Sequence, residues 1–152
     1  MPSILFICTA NRFRSPLAVS IFCHLLSKAG LENQWRVSSA GTWTEEGMPA
    51  TREAIEWAQK SGLDLAGHRS RGINQEIVSA ADLVVVMEQG HKEALNNEFT
   101  GIDEKVFTLT ELAGKPVFDI PDPYSNIDEL PEAVANEIQQ LLLKAFDRII
   151  LW

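Results

Sequence analysis

The chain has 152 residues, 45% of them hydrophobic, and a formal net charge of −8. That length suits one compact domain, spanning 1–152, with enough chain for a real core. No run of roughly 18 apolar residues exists to cross a membrane, and the acidic balance argues against a general nucleic-acid binder. Cys8 and Cys23 are too few for a disulfide framework. Met1-Pro2-Ser3 leads straight into apolar sequence without the basic region of a secretory signal, so the expected setting is the reducing cytoplasm.

Ser3 to Cys8 reads as a short buried strand, apolar on both faces. Ser15 to Lys28 reads as a helix, with Pro16 in its first turn and Gly30 after its end. Trp35 to Ala40 gives a second strand ending at Gly41, and Thr51 to Ser61 a helix between Pro49 and Gly62. Leu83 to Met87, the most apolar run, predicts a central parallel strand, followed by a short helix over Gly90 to Asn96. Lys105 to Leu109 gives a fourth strand. Pro131 to Ile150 is helical, with Val134, Ile138, Leu141, Leu142, Ala145 and Ile149 on one side. Strands alternating with helices predict an α/β domain: a four-stranded parallel sheet with helices on both faces. In such folds ligands sit beyond the carboxyl ends of the strands, where the strand order reverses.

The segment Cys8-Thr9-Ala10-Asn11-Arg12-Phe13-Arg14-Ser15 lies at such an end, between a strand and a helix. Backbone N–H groups of a tight loop and the positive end of the next helix converge there, which suits a phosphate dianion. A cysteine in that field is nucleophilic at neutral pH, and the Arg14 fork suits two phosphoryl oxygens at once. Asn suits position 11 because it tolerates left-handed backbone better than most residues. A buried cysteine at a strand end beside a surface arginine is the plainer reading of the same residues.

A second segment decides between them. In Asp119-Ile120-Pro121-Asp122-Pro123-Tyr124, Asp122 lies between two prolines that hold the backbone extended. A carboxyl on so rigid a turn suits a general acid that protonates a leaving oxygen and then activates water.

With these two segments the chain resembles the low-molecular-weight protein tyrosine phosphatase family. Three more segments match in order: Ser39-Ala40-Gly41-Thr42, Gly67-His68-Arg69-Ser70-Arg71, and Asp82 to Glu88. The resemblance implies a flavodoxin-like (Rossmann-like) phosphatase fold and an enzyme without cofactor or metal. It implies that Cys8 attacks phosphorus to form a phosphocysteine, Arg14 binds two equatorial oxygens, and Ser15 hydrogen-bonds the Cys8 sulfur. Asp122 would donate a proton to the leaving group and later accept one from water. The loop residues Thr9, Ala10, Asn11, Arg12 and Phe13 would cradle the phosphate. Asn11, Ser39 and His68 would support that loop, with an ordinary structural histidine the alternative at position 68. Tyr124 would form one cleft wall, with Trp43 proposed as the other. Trp35, Trp57 and Trp152 read as packing residues.

Some positions depart from the family. Ala10 stands where glycine is frequent, and Arg12 where an aliphatic residue is frequent. Phe13 replaces a cysteine that in many relatives forms a protective disulfide with the nucleophile. Cys23, on an apolar helix, reads as a small core residue. Ser125-Asn126 follow Tyr124 where relatives carry a second tyrosine and glycine. The resemblance implies a phosphotyrosine-containing protein as substrate, with a bacterial tyrosine kinase as counterpart, and a monomer or weak dimer. The alternatives are a thioredoxin-coupled arsenate reductase, whose relay cysteines are missing from Glu88 to Thr100, and a catalytically impaired phosphate- or partner-binding module.

Overall fold

The computed structural model describes residues 1–152. The first strand, β1 (Ser3–Cys8), is buried on both faces because it lies inside the sheet. Its side chains alternate: Ile4, Phe6 and Cys8 enter a large apolar cluster, whereas Leu5 and Ile7 enter a smaller one on the opposite face. After the loop Thr9 to Phe13 the chain enters α1 (Arg14–Lys28). Then come β2 (Arg36–Gly41), α2 (Arg52–Lys60), α3 (Gln75–Ala80) and β3 (Leu83–Val86). Next are α4 (Gln89–Glu98), β4 (Val106–Thr108), α5 (Leu109–Leu112) and α6 (Pro131–Ile150). All pairings are parallel and the order is β2-β1-β3-β4. The order reverses between β1 and β3, so the Cys8 loop leaves the sheet at the switch point. The predicted architecture is the observed one.

Two short helices escaped the sequence reading. The six-residue α3 buries only Val78 and is started by Asn74, whose side chain accepts from the Ile77 N–H. The four-residue α5 is set by Thr108 and Glu111, which cap it reciprocally.

The larger core lies under α1 and α6. Phe22 is fully buried and meets Phe6, Trp35 and Phe146 with ring centroids 5.8, 5.9 and 5.7 Å apart. Truncating a ring so enclosed to alanine costs about 3–5 kcal/mol. The expected face of α6 is the buried one, with Ala135 added to it. Trp35 packs as expected, Trp57 is half-buried and donates to Asn136, and Trp152 sits edge-on to Phe107. Cys23 differs. It is exposed rather than a core residue, because the buried stripe of α1 passes through Ala18, Ile21, Phe22 and Leu26 and leaves position 23 outside.

The end of β2 fixes the Cys8 loop. The Thr42 and Trp43 N–H groups donate to the Cys8 and Thr9 carbonyls at 2.9 and 3.0 Å. A Cβ at Gly41 would stand 2.4 Å from the Thr9 oxygen, so the two backbones approach this closely only with glycine there. On the other side, the Thr51 N–H donates to the Arg12 carbonyl at 2.8 Å and ties the start of α2 to the same loop.

Candidate active site

Asn11 organises the loop. It alone among the non-glycine residues has positive φ, at 57°, and it is fully buried. Its Nδ2 donates to Ser15 Oγ at 2.8 Å and Ser39 Oγ at 2.9 Å, and its Oδ1 accepts from the Arg71 N–H at 3.0 Å. Its carbonyl accepts from His68 Nε2 at 2.7 Å. Burial holds the His68 pKa below the ordinary histidine value, which keeps the ring neutral, with its proton on the nitrogen facing Asn11. The supporting trio expected from the resemblance is brought together.

Proton placement at Ser15 follows. Its Oγ lies 2.9 Å from Cys8 Sγ and already accepts from Asn11 Nδ2. The serine proton is therefore directed at the sulfur, where it stabilises negative charge. Cys8 is 2% exposed, at the floor of the site.

Arg14 is almost wholly buried. Its Nη1 donates to Glu88 Oε2 at 2.5 Å and to the Ile120 carbonyl at 2.8 Å, which uses both of that nitrogen's protons. Nη2 has only a long contact to Thr9 Oγ1 at 3.4 Å and lies 4.0 Å from Asp122 Oδ2. The fork thus keeps the Nη2 and Nε edge for a ligand. Glu88 was not singled out from sequence, because its partner is 74 residues away.

The Asp122 turn is pinned at both sides. The Ile120 N–H donates to the Met87 carbonyl at 2.9 Å, at the end of β3, and Asp119 accepts from the Gln89 N–H at 2.8 Å. Asp122 accepts from the Tyr124 N–H at 2.9 Å and from Ser125 Oγ at 3.1 Å. Tyr124 meets Phe13 edge-on, centroids 5.6 Å apart. Burial, followed by the nearby Glu53, pushes the Tyr124 phenol up to about 12.

These groups line one cavity of about 430 Å³. Cys8, Ala10, Arg12, Phe13 and Arg14 line it from the loop and the start of α1, and Asp122 and Tyr124 from the proline-flanked turn. The remaining wall is Thr51, Arg52 and Glu53 at the start of α2, residues that the sequence reading did not place there. Trp43 does not line this cavity. It is 85% exposed and borders a neighbouring depression with Ala10, Arg12, Thr44, Glu45 and Met48. The Arg12 Nε donates to the Pro49 carbonyl at 2.8 Å, which sets this side chain as a ridge between the two hollows. No three His, Cys, Asp or Glu side chains are grouped to hold a metal ion.

The family model described as "Low molecular weight phosphotyrosine protein phosphatase" matches residues 3–150. A protein-arginine-phosphatase of Bacillus subtilis is 32% identical over 139 residues, covering 91% of each chain. The solved low molecular weight protein tyrosine phosphatase of T. tengcongensis superposes with a TM-score of 0.88 at 34% identity, over 97% of this chain and 99% of that one. An arginine phosphatase carrying a phosphorylated serine in place of its active-site cysteine superposes equally well, 0.88 at 30% identity, over 97% and 95%. The cysteine-bearing loop, the buried arginine and the proline-flanked aspartate share one cavity, and the match runs through both segments. The chain belongs to the low-molecular-weight phosphotyrosine protein phosphatase family.

Proposed function

We propose that the protein hydrolyses phosphotyrosine in proteins through a phosphocysteine intermediate, with Asp122 as general acid and then general base. The carrying observation is that Cys8, Arg14 and Asp122 line one cavity while Ser15 turns its proton toward the Cys8 sulfur. Arg14 binds two equatorial oxygens with its free edge, and the loop amides from Thr9 to Phe13 take the remaining charge. Cys8 attacks phosphorus as Asp122 gives its proton to the departing phenolate oxygen. Asp122, now a carboxylate, takes a proton from water as that water attacks the phosphocysteine, and Ser15 stabilises the departing thiolate. The phosphoserine in the related arginine phosphatase supports transfer to the side chain at the cysteine's place.

Phosphoarginine is the second reading, favoured by the names of two of these relatives. The cavity's chemistry favours the phenol ester. Tyr124 and Phe13 offer aromatic surface, and Arg12 and Arg52 stand at the walls, where a cationic guanidinium would meet like charge. The cytoplasm is the proposed setting and a phosphoprotein the proposed partner.

Turnover of a phosphotyrosine peptide, a phosphoarginine peptide and para-nitrophenyl phosphate tests this. Wild type is expected to favour the tyrosine peptide. Cys8→Ser is expected to abolish turnover, and Asp122→Ala to slow it by roughly a hundredfold or more, most for poor leaving groups. Hydrolysis surviving Cys8→Ser sinks the covalent mechanism. Preference for the arginine peptide transfers the substrate to the second reading.

A further inference from the structure

The buried histidine at the start of α4 has no part in the chemistry so far. We propose that His91 is a positioning residue that, together with Glu88, holds both terminal nitrogens of Arg14 from one helix start. The inference rests on the reading of Arg14 as the phosphate-binding side chain.

The atoms leave little freedom. His91 is third in from Glu88, the residue that caps α4, and is 6% exposed. Its Nδ1 accepts the Glu88 backbone N–H at 3.2 Å, the return half of a capping box. A ring nitrogen that accepts carries no proton, so the proton of the neutral ring sits on Nε2. That nitrogen lies 2.9 Å from Thr9 Oγ1 and therefore donates to it. Thr9 Oγ1 also receives Arg14 Nη2 at 3.4 Å. With both lone pairs of its oxygen facing donors, the Thr9 hydroxyl is set as a stop for Nη2. Meanwhile Glu88 takes Nη1 at 2.5 Å. The capping residue thus holds one arm of the guanidinium directly, and its helix partner holds the other through Thr9.

The consequence is geometric. A bidentate grip on phosphate requires the guanidinium plane to be fixed before the ligand arrives. Glu88 and the Ile120 carbonyl take both protons of Nη1 and orient the planar guanidinium from that end. The contact at Nη2 restrains the other arm, the one left for the ligand. Thr9 alone is a weak stop, since its χ1 rotates unless something holds the hydroxyl, and His91 is the group in hydrogen-bond contact with it.

The test is a double-mutant cycle on the full chain, read as kcat/KM for para-nitrophenyl phosphate and as the inhibition constant of inorganic phosphate. His91→Leu and Thr9→Val are each expected to lower kcat/KM by about tenfold and to weaken phosphate inhibition similarly. Their combination is expected to be no worse than about twofold beyond either. His91→Gln, whose amide offers both an acceptor and a donor, is expected to recover most of the loss. If His91→Leu folds poorly, Thr9→Val against Thr9→Ser reads the same contact without touching α4. Losses that multiply, or a His91→Leu enzyme with wild-type phosphate inhibition, overturn the inference. Wild type insensitive to phosphate and inactive on the ester would instead sink the phosphatase reading, and this inference with it.

Discussion

Tyr124 donates its phenolic proton to Glu53 across 2.6 Å, fastening the turn that carries Asp122 to the first turn of α2. The order of protons is determined. Thr51 Oγ1 accepts from the Ala54 N–H as the helix cap, so its own proton is free for the phenol oxygen 2.9 Å away. The Tyr124 proton then belongs to Glu53, whose pKa is held below the usual glutamate value chiefly by this bond. The clasp joins the acid-bearing turn to a wall of the cavity without occupying Asp122 itself.

Tyr124→Phe separates the clasp from the aromatic wall, because the ring remains against Phe13. The expected result is a fall in kcat of about three- to tenfold for esters with poor leaving groups, where proton donation limits the rate. Esters with good leaving groups should change little, and KM should hold. Glu53→Ala should behave the same way. Equal rates for wild type and Tyr124→Phe across a leaving-group series would show that the turn is held by its prolines alone.

Asn11→Ala tests the loop itself. The substitution forfeits three side-chain hydrogen bonds and leaves an alanine at a φ of 57°. At about 1 kcal/mol for each bond and about 1 for the strained backbone, the expected loss of unfolding free energy is about 4 kcal/mol. Asn11→Gly removes the bonds and the strain together, so it should fall about 1 kcal/mol less. Urea titrations of the three proteins measure both differences. Identical midpoints for alanine and glycine would remove the strain from the account.

The legible parts of this site are those encoded within a few residues. The Cys8 loop, the α1 start and the Asp122 turn each carry their signal in one short segment, as do the apolar runs of β1 and β3. Glu88 and His91 carry none, since what matters is Arg14 and Thr9, 74 and 82 residues earlier in the chain. Trp43, the wall expected from sequence, lies outside the cavity, and Thr51 to Glu53 provides that wall, because the Thr51 N–H is drawn to the Arg12 carbonyl. Helices as short as α3 and α5 offer too few residues for a period to register. Position 23 lies among Ile21, Phe22, Leu25 and Leu26 in sequence, yet the helix turns it outward.

Oxidation should be hard to reverse. The two thiols are free: Cys8 buried in the loop, Cys23 exposed on the far side of α1 beside Val19, His24 and Gly62. Phe13 lines the cavity beside Cys8 and offers no thiol to trap a sulfenic acid. Peroxide is therefore expected to drive Cys8 through sulfenic to sulfinic acid, with activity that dithiothreitol restores only early in the exposure. Mass spectrometry of the Cys8 peptide should show two or three added oxygens. A Cys8–Cys23 disulfide in the oxidised protein would contradict this.

Acid should loosen the fold through His91. Burial first, and the Arg14 charge second, push its pKa down to about 4, against about 6.5 in the unfolded chain. Between those values the unfolded chain takes up a proton that the folded chain refuses. The contribution is therefore complete above about pH 6.5 and is lost as the pH falls toward 4, amounting to about 3 kcal/mol by the lower limit. His68 is shifted in the same direction. The carboxylates facing His91, from Glu88, Asp119 and Asp122, are present in wild type and variant alike, so His91→Gln is the useful reference. Unfolding free energies measured at several pH values should show the wild type declining more steeply than the variant between pH 6.5 and 4. Parallel curves would mean that His91 takes up its proton in the folded state at an ordinary pH.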